Sequence, residues 1–223
     1  MAVITISREN GARGSTIGRK LAEHLGYRYV DSEVIHEVCR EYGGRQDEFE
    51  RIYEHTPGLL ERYDRRNREI VQLIGYIIRG LARHDNTVIV SRDAFAALRE
   101  YGDVLNVRAA ASRRVRIRRL EQDHDLKPRE ARAMLDRLDS ERGKYIGAYH
   151  GLNWADAGLY DLCVNTSKLD VDQMVELILQ TLVFLEENSD SNRPLARDLE
   201  AGPILDRAIS EALNLLETVA RAD

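Results

Sequence analysis

Residues 8–16, Arg-Glu-Asn-Gly-Ala-Arg-Gly-Ser-Thr, gather in one short stretch the groups that hold an anion. Gly11 and Gly14 let backbone N–H groups approach a ligand closely, Ala12 is small, Ser15 and Thr16 carry hydroxyls, and Arg8 and Arg13 carry positive charge. A tight turn with no ligand uses the same glycines, so the rest of the chain has to decide between the two readings. Two further pairs follow short apolar runs: Asp31 with Ser32, and Arg92 with Asp93. A guanidinium fork at Arg92 suits a phosphate, with a structural salt bridge as the alternative. Asp31 and Ser32 suit either a ligand contact or the start of a helix. Arg113, Arg114, Arg116, Arg118 and Arg119 form a basic stretch, and Arg142 and Lys144 follow later. Helical geometry puts Arg113, Arg116 and Arg119 roughly on one side and Arg114 and Arg118 on another, so most of the stretch is expected to be a solvated face. The six histidines are scattered without metal-ligand spacing, Cys39 and Cys163 suggest neither zinc nor a disulfide framework, and no Gly-x-Ser-x-Gly elbow occurs.

The elements that must position these groups are legible as alternating periods. AVITI at 2–6 reads as a buried strand, and STIGRKLAEHLG follows it as a helix with Ile17, Leu21 and Leu25 on one face. Further strands are expected at 27–30, 87–90, 104–107 and 160–164, with helices between them; Pro128 suits the first turn of one that runs toward Tyr145. Five short strands alternating with helices point to a parallel sheet covered on both faces. The polar stretch at 186–194 reads as a linker, and the helix beyond it carries Ile204, Leu205, Ala208, Ile209, Leu213, Leu216 and Val219 at helical spacing. That stripe must be buried on the body or on a second copy, the latter giving a homodimer through the C-terminal helix. The chain has 223 residues and a formal charge of −5, which argues against broad nucleic-acid binding. Neither a signal peptide nor a membrane-spanning run is read, so no membrane partner and a cytoplasmic location are expected.

Residues 4–35, ITISRENGARGSTIGRKLAEHLGYRYVDSEVI, resemble the N-terminus of the cytidylate kinase-like family, a branch of the P-loop nucleoside monophosphate kinases. VIVSRDAF at 88–95 resembles the strand-then-arginine segment of these kinases, and DSERGKY and NWADAGLYDLCVNTSKL resemble their lid and final strand. The resemblance implies an α/β, three-layer P-loop kinase fold with a five-stranded parallel sheet. It divides the chain into a kinase-like domain at 1–185, with a helical insert at about 45–84 and a lid region at about 128–158, and a linker with an extra C-terminal helix at 186–223. It also implies phosphoryl transfer from ATP with Mg²⁺ to a nucleoside monophosphate, CMP or dCMP leading. Arg8, Gly11, Ala12, Arg13, Gly14, Ser15, Thr16 and Arg116 would then hold the donor, with Ser15 reaching the metal. Asp31, Ser32, Arg92 and Asp93 would hold the acceptor, and Arg13, Arg92 and Arg142 would act in catalysis. The full phosphate-loop pattern is G-x-x-x-x-G-K-[ST], whereas residues 8–15 place Arg8 at the first glycine, Arg13 at the second and Gly14 at the lysine. A noncatalytic nucleotide-binding or regulatory protein and a kinase of another small molecule are therefore carried as alternatives.

Overall fold

Alternate residues of the first strand part to opposite sides, and the two sides recruit different helices. The computed structural model describes residues 2–43, 49, 52, 64–84, 86–188 and 192–220. Strands β1 (Val3–Arg8), β2 (Arg28–Val30), β3 (Thr87–Ile89), β4 (Val104–Ala110) and β5 (Leu162–Asn165) form one sheet in the order β2-β3-β1-β4-β5. Every pairing is parallel. Ile4 and Ile6 join Val88, Val90, Leu105 and Val107 under helices α1 (Gly14–Leu25) and α7 (Val171–Glu187). Val3, Val30, Ile89 and Val104 face the other way, toward α2 (Ser32–Glu41), α3 (Arg65–Arg83) and α4 (Ala94–Leu98). Strands buried on both faces explain why their sequence reads as continuous apolar runs and not as alternation.

Two more helices, α5 (Arg113–His124) and α6 (Pro128–His150), pack on each other through a small core of Ile117, Leu120, Ala131 and Leu135. Pro128 opens α6, and the Glu130 carboxylate accepts a 2.9 Å hydrogen bond from the Lys127 N–H. Residues 128–150 of the expected lid are thus one continuous helix.

Some boundaries differ from those read in the sequence. β4 continues to Ala110, past the charged Arg108 at which the apolar run ends, because that guanidinium finds a partner inside the protein. β5 starts at Leu162 instead of residue 160, since Tyr160 turns its ring into the core against Phe95. The five-residue α4 was too short to show a period. Of the helical insert expected at about 45–84, the part from Asp64 onward is the N-cap and body of α3, while Pro57 and Gly58 lie outside the described residues.

The tail helix α8 (Pro203–Ala220) settles where its stripe goes: Leu205, Ala208, Ile209 and Ala212 are buried against the same chain, beside α2 and α3. A Cβ on Gly80 would come within 2.8 Å of both Ile209 and Leu205, so a glycine in α3 admits the tail at close range. The body thus takes these residues of the stripe, whereas Ile204 stays exposed, and the buried part lends no support to a homodimer through the helix. The side chains of Leu216 and Val219 lie outside the described residues.

Candidate functional site

β1 is central, with β3 and β4 on either side of it, so its carboxyl end opens on the crevice where α/β sheets gather their ligands. The chain crosses from β1 to α1 through Glu9–Arg13. The Ala12 N–H donates to the Glu9 carbonyl at 3.0 Å, Gly11 has φ +77, and Arg13 has φ 62 and ψ 18. Gly11 is required twice over: its φ is left-handed, and a Cβ there would stand 2.9 Å from the Arg116 carbonyl oxygen. Arg13 has no such licence, and the left-handed conformation costs a side-chain-bearing residue about 1–2 kcal/mol. No side chain caps α1, and none of its first-turn residues is acidic. The first turn therefore presents N–H donors and a partial positive charge to whatever lies beyond the strand.

Glu9 anchors this loop. Its Oε1 accepts from Arg108 Nη2 at 2.9 Å, and its Oε2 accepts from the Ala111 N–H at 3.1 Å. The same Oε2 lies 3.2 Å from Arg116 Nε, an ion pair whose angle is too poor for a hydrogen bond. Arg116 Nη1 bonds both oxygens of Asp139 on α6, at 3.0 and 2.9 Å. Arg108 Nη1 donates to the Trp154 carbonyl at 2.7 Å, and its guanidinium lies 4.8 Å from that indole ring. Arg119 donates to the Gly11 carbonyl at 2.9 Å and to Thr166 Oγ1 and O at 2.8 and 2.7 Å. Burial, then the nearby charge of Arg13, lowers the Arg119 pKa from its ordinary value. Arg142, buried on α6, donates to the Arg8 carbonyl and lies 5.5 Å from the Trp154 ring.

The strands beside β1 present different chemistry. Asp31 caps α2, its Oδ1 accepting from Glu33 N at 3.0 Å and Val34 N at 3.4 Å, while Oδ2 lies 3.6 Å from Arg19. Ser32 is the first residue of α2. After β3, Ser91 Oγ accepts from the Ala94 N–H at 2.9 Å. Asp93 is 1 % exposed, accepts from Tyr145 Oη at 3.2 Å, and lies 3.0 Å from His150 Nε2. The Arg92 guanidinium lies 5.6 Å from the Tyr145 ring. The Tyr29 phenol pKa is raised by burial and then by Asp31, against the opposing charges of Arg19 and Arg8 and the nearby hydroxyl of Ser15 on the first turn of α1.

The residues singled out in the sequence thus divide by what they touch. Arg8, Gly11, Ala12, Arg13, Gly14, Ser15 and Thr16 form the loop and the helix start, and Arg142 joins them at the end of β1. Arg13 makes two 3.0 Å bonds to Asp123 of α5. Arg116 is 7 % exposed and held between Glu9 and Asp139, so it supports the loop from behind. Asp93 supports the turn after β3 in the same way. Arg113 pairs with Asp136, and Arg114 and Arg118 are exposed beside an open cleft of about 320 Å³, in line with a solvated face. Glu9, Arg108, Tyr160 and Thr166 have no role in the sequence reading, which takes Arg119 only as part of the basic stretch. One signal was available, a charged residue in each of the segments that close β1 and β4, VITISRE and VLNVRAA.

The sequence model of the cytidylate kinase-like family matches residues 3–168, from β1 to just past β5. The chain belongs to the cytidylate kinase-like family. Among the relatives of this family member, the cytidylate kinase of Halobacterium salinarum is 29% identical over 195 residues, covering 86% of this chain and 96% of the relative. That of Methanopyrus kandleri is 27% identical over 196 residues, covering 84% and 96%. In fold, an uncharacterized protein from Eubacterium ventriosum superposes with a TM-score of 0.62 at 22% identity, covering 82% of this chain and 99% of that one. A gluconokinase from Sinorhizobium meliloti gives 0.54 at 18%, covering 84% and 94%. The family member carries no cluster of three or more His, Cys, Asp or Glu side chains suited to a metal among the described residues. The Ser15 hydroxyl, on the uncapped first turn of α1, is the kind of single oxygen donor that suits a magnesium ion keeping most of its waters. No helix among the described residues is long and apolar enough to cross a membrane.

Proposed function

We propose that the protein transfers the terminal phosphoryl group of ATP, as its Mg²⁺ complex, to a nucleoside monophosphate, with CMP or dCMP as the leading acceptor. The observation that carries this reading is the start of α1: an uncapped helix N-terminus, free of acidic residues, at the carboxyl end of the central strand. The acceptor rests on family membership and on the cytidylate kinases among its relatives. Backbone N–H groups from Gly11 to Thr16 would hold the donor's phosphates, and the Ser15 hydroxyl would reach the metal. Arg92 would grip the acceptor phosphate, Asp31 and Ser32 would face the nucleoside, and Arg142 would close the site from α6. An oxygen of the acceptor phosphate attacks the terminal phosphorus, the bond to ADP breaks, and the products are ADP and a nucleoside diphosphate. The protein's part is alignment and neutralisation of charge.

One observation favours a second reading, a nucleotide-binding protein without turnover: Arg13 is occupied by Asp123 and position 14 has no side chain. Release of ADP from ATP–Mg²⁺ should be measured with CMP, dCMP, UMP and AMP separately, against a control without acceptor. Stimulation by CMP or dCMP is expected. Thermal stabilisation by ATP–Mg²⁺ with no transfer to any acceptor would replace the first reading by the second.

A further inference from the structure

Positions 8 and 14 depart from the phosphate-loop pattern in opposite senses, with arginine where the first glycine belongs and glycine where the lysine belongs. The fold brings these two positions into contact. A Cβ built on Gly14 would stand 2.4 Å from Arg8 Cβ and 3.1 Å from Arg8 Cγ. The stem of Arg8 therefore fills the space in which a side chain on residue 14 would begin. This collision is at the root of the side chain, where no rotamer relieves it. The next nearest atom to that Cβ is Ala109 Cβ at 3.4 Å, an ordinary contact, so a residue without a side chain at position 8 would remove the two closest approaches to one at position 14.

The arginines around Arg8 are committed. Arg13 holds Asp123, Arg108 and Arg116 hold Glu9, Arg119 holds Gly11 and Thr166, and Arg142 reaches the Arg8 carbonyl. The Arg8 guanidinium has neither an ion pair nor a hydrogen bond among the described residues, and its charge reaches the Tyr29 phenol near Ser15. We infer that Arg8 and Gly14 are a reciprocal exchange, in which the cation that a phosphate loop carries on the first turn of its helix comes from the last residue of the strand, and glycine at 14 admits it. The inference rests on the phosphoryl-transfer reading, in which Arg8 neutralises charge on the donor's terminal phosphate. A guanidinium there also offers two parallel N–H donors where an ammonium offers a point charge.

The test is a set of variants assayed for ADP release with CMP and for thermal stabilisation by ATP–Mg²⁺: R8M, R8K, R8G, G14K and R8G/G14K. R8M is expected to lower kcat about 10²–10³-fold, the usual loss for one well-aimed charge-stabilising donor. G14K alone is expected to lower the melting temperature, and R8G/G14K to regain both stability over G14K and at least about tenfold in rate over R8G. R8M within about threefold of wild type would overturn the exchange, as would a folded R8G/G14K no faster than R8G. Should the double variant fail to fold, R8K at least about tenfold faster than R8M supports the exchange and equal rates overturn it. A wild type that neither turns over nor is stabilised by ATP–Mg²⁺ would instead remove the phosphoryl-transfer reading, and the exchange with it.

Discussion

The loop after β1 and the turn after β3 leave adjacent strands at the same edge of the sheet, yet they are held by opposite means. Behind the first, Glu9 ties Arg108 and Arg116 together, and Arg116 passes the chain of charge on to Asp139. Behind the second, Asp93 is met by the Tyr145 hydroxyl and the His150 ring. The first arrangement is built on two guanidiniums, which stay protonated at any ordinary pH. The second joins an acid to a neutral hydroxyl and an imidazole, which adjust more easily to a missing neighbour. The loop after β1 is backed by a locked ionic frame, while the turn after β3 is backed by softer aromatic packing.

The largest effect should follow from breaking the ionic frame. Glu9→Gln leaves two buried guanidiniums short of charge, and a loss of about 3–5 kcal/mol is expected in denaturant melts. A loss below about 1 kcal/mol would mean that water compensates both arginines and that the contrast between the two turns is false. Asp93→Asn should cost less, about 1–3 kcal/mol, because the amide still accepts from Tyr145. If Asp93→Asn cost as much as Glu9→Gln, the two turns would be equivalent. Arg13→Gly sharpens the comparison from the solvent side. The Arg13–Asp123 pair is 36% exposed on both partners and worth roughly 0–1 kcal/mol, while glycine relieves the left-handed backbone but gains freedom when unfolded. Stability within about 0.5 kcal/mol of wild type is expected, where Arg116→Ala should cost several.

The smallest effect concerns pH and lies away from both turns. Burial lowers the His84 pKa from its ordinary value, with Asp206 partly opposing it. The folded protein thus resists protonating His84, and its stability from this residue is full above about pH 6.5 and is lost as pH falls through the lower folded value. Between about pH 7.5 and about pH 5, His84→Gln should show a slightly shallower fall in Tm than wild type. An equal or steeper fall would assign the acid sensitivity to other groups.

The architecture was legible because each strand and helix announces itself locally. Val3 to Ile6, Thr87 to Val90 and the stripe from Ile70 to Leu81 carry their periods within a few residues. Strand order was not written that way, since placing β1 between β3 and β4 is a property of long-range packing. The glycine turn was legible for the same local reason. Its support was not: Glu9 meets Arg108 and Arg116, and Arg119 meets Gly11, across roughly a hundred residues. A basic stretch such as 113–119 reads as a solvated face until one knows which carboxylates and carbonyls its inner side finds. Asp31 shows the remaining difficulty, because a helix cap and a ligand contact use the same residue at the same place.

The tail sets the order in which this chain can be completed on the ribosome. Leu205 and Ile209 cover α2 and α3, which are made long before residues 203–220 emerge, so an apolar wall stays uncovered while most of the chain is synthesised. The last contact is also pinned: Asp103, at the entrance to β4, accepts from the Ala196 and Arg197 N–H groups at 2.6 and 3.3 Å and aims the chain toward that wall. A nascent chain stalled before Ala196 would therefore be a natural client for chaperones, although every strand of its sheet was already made.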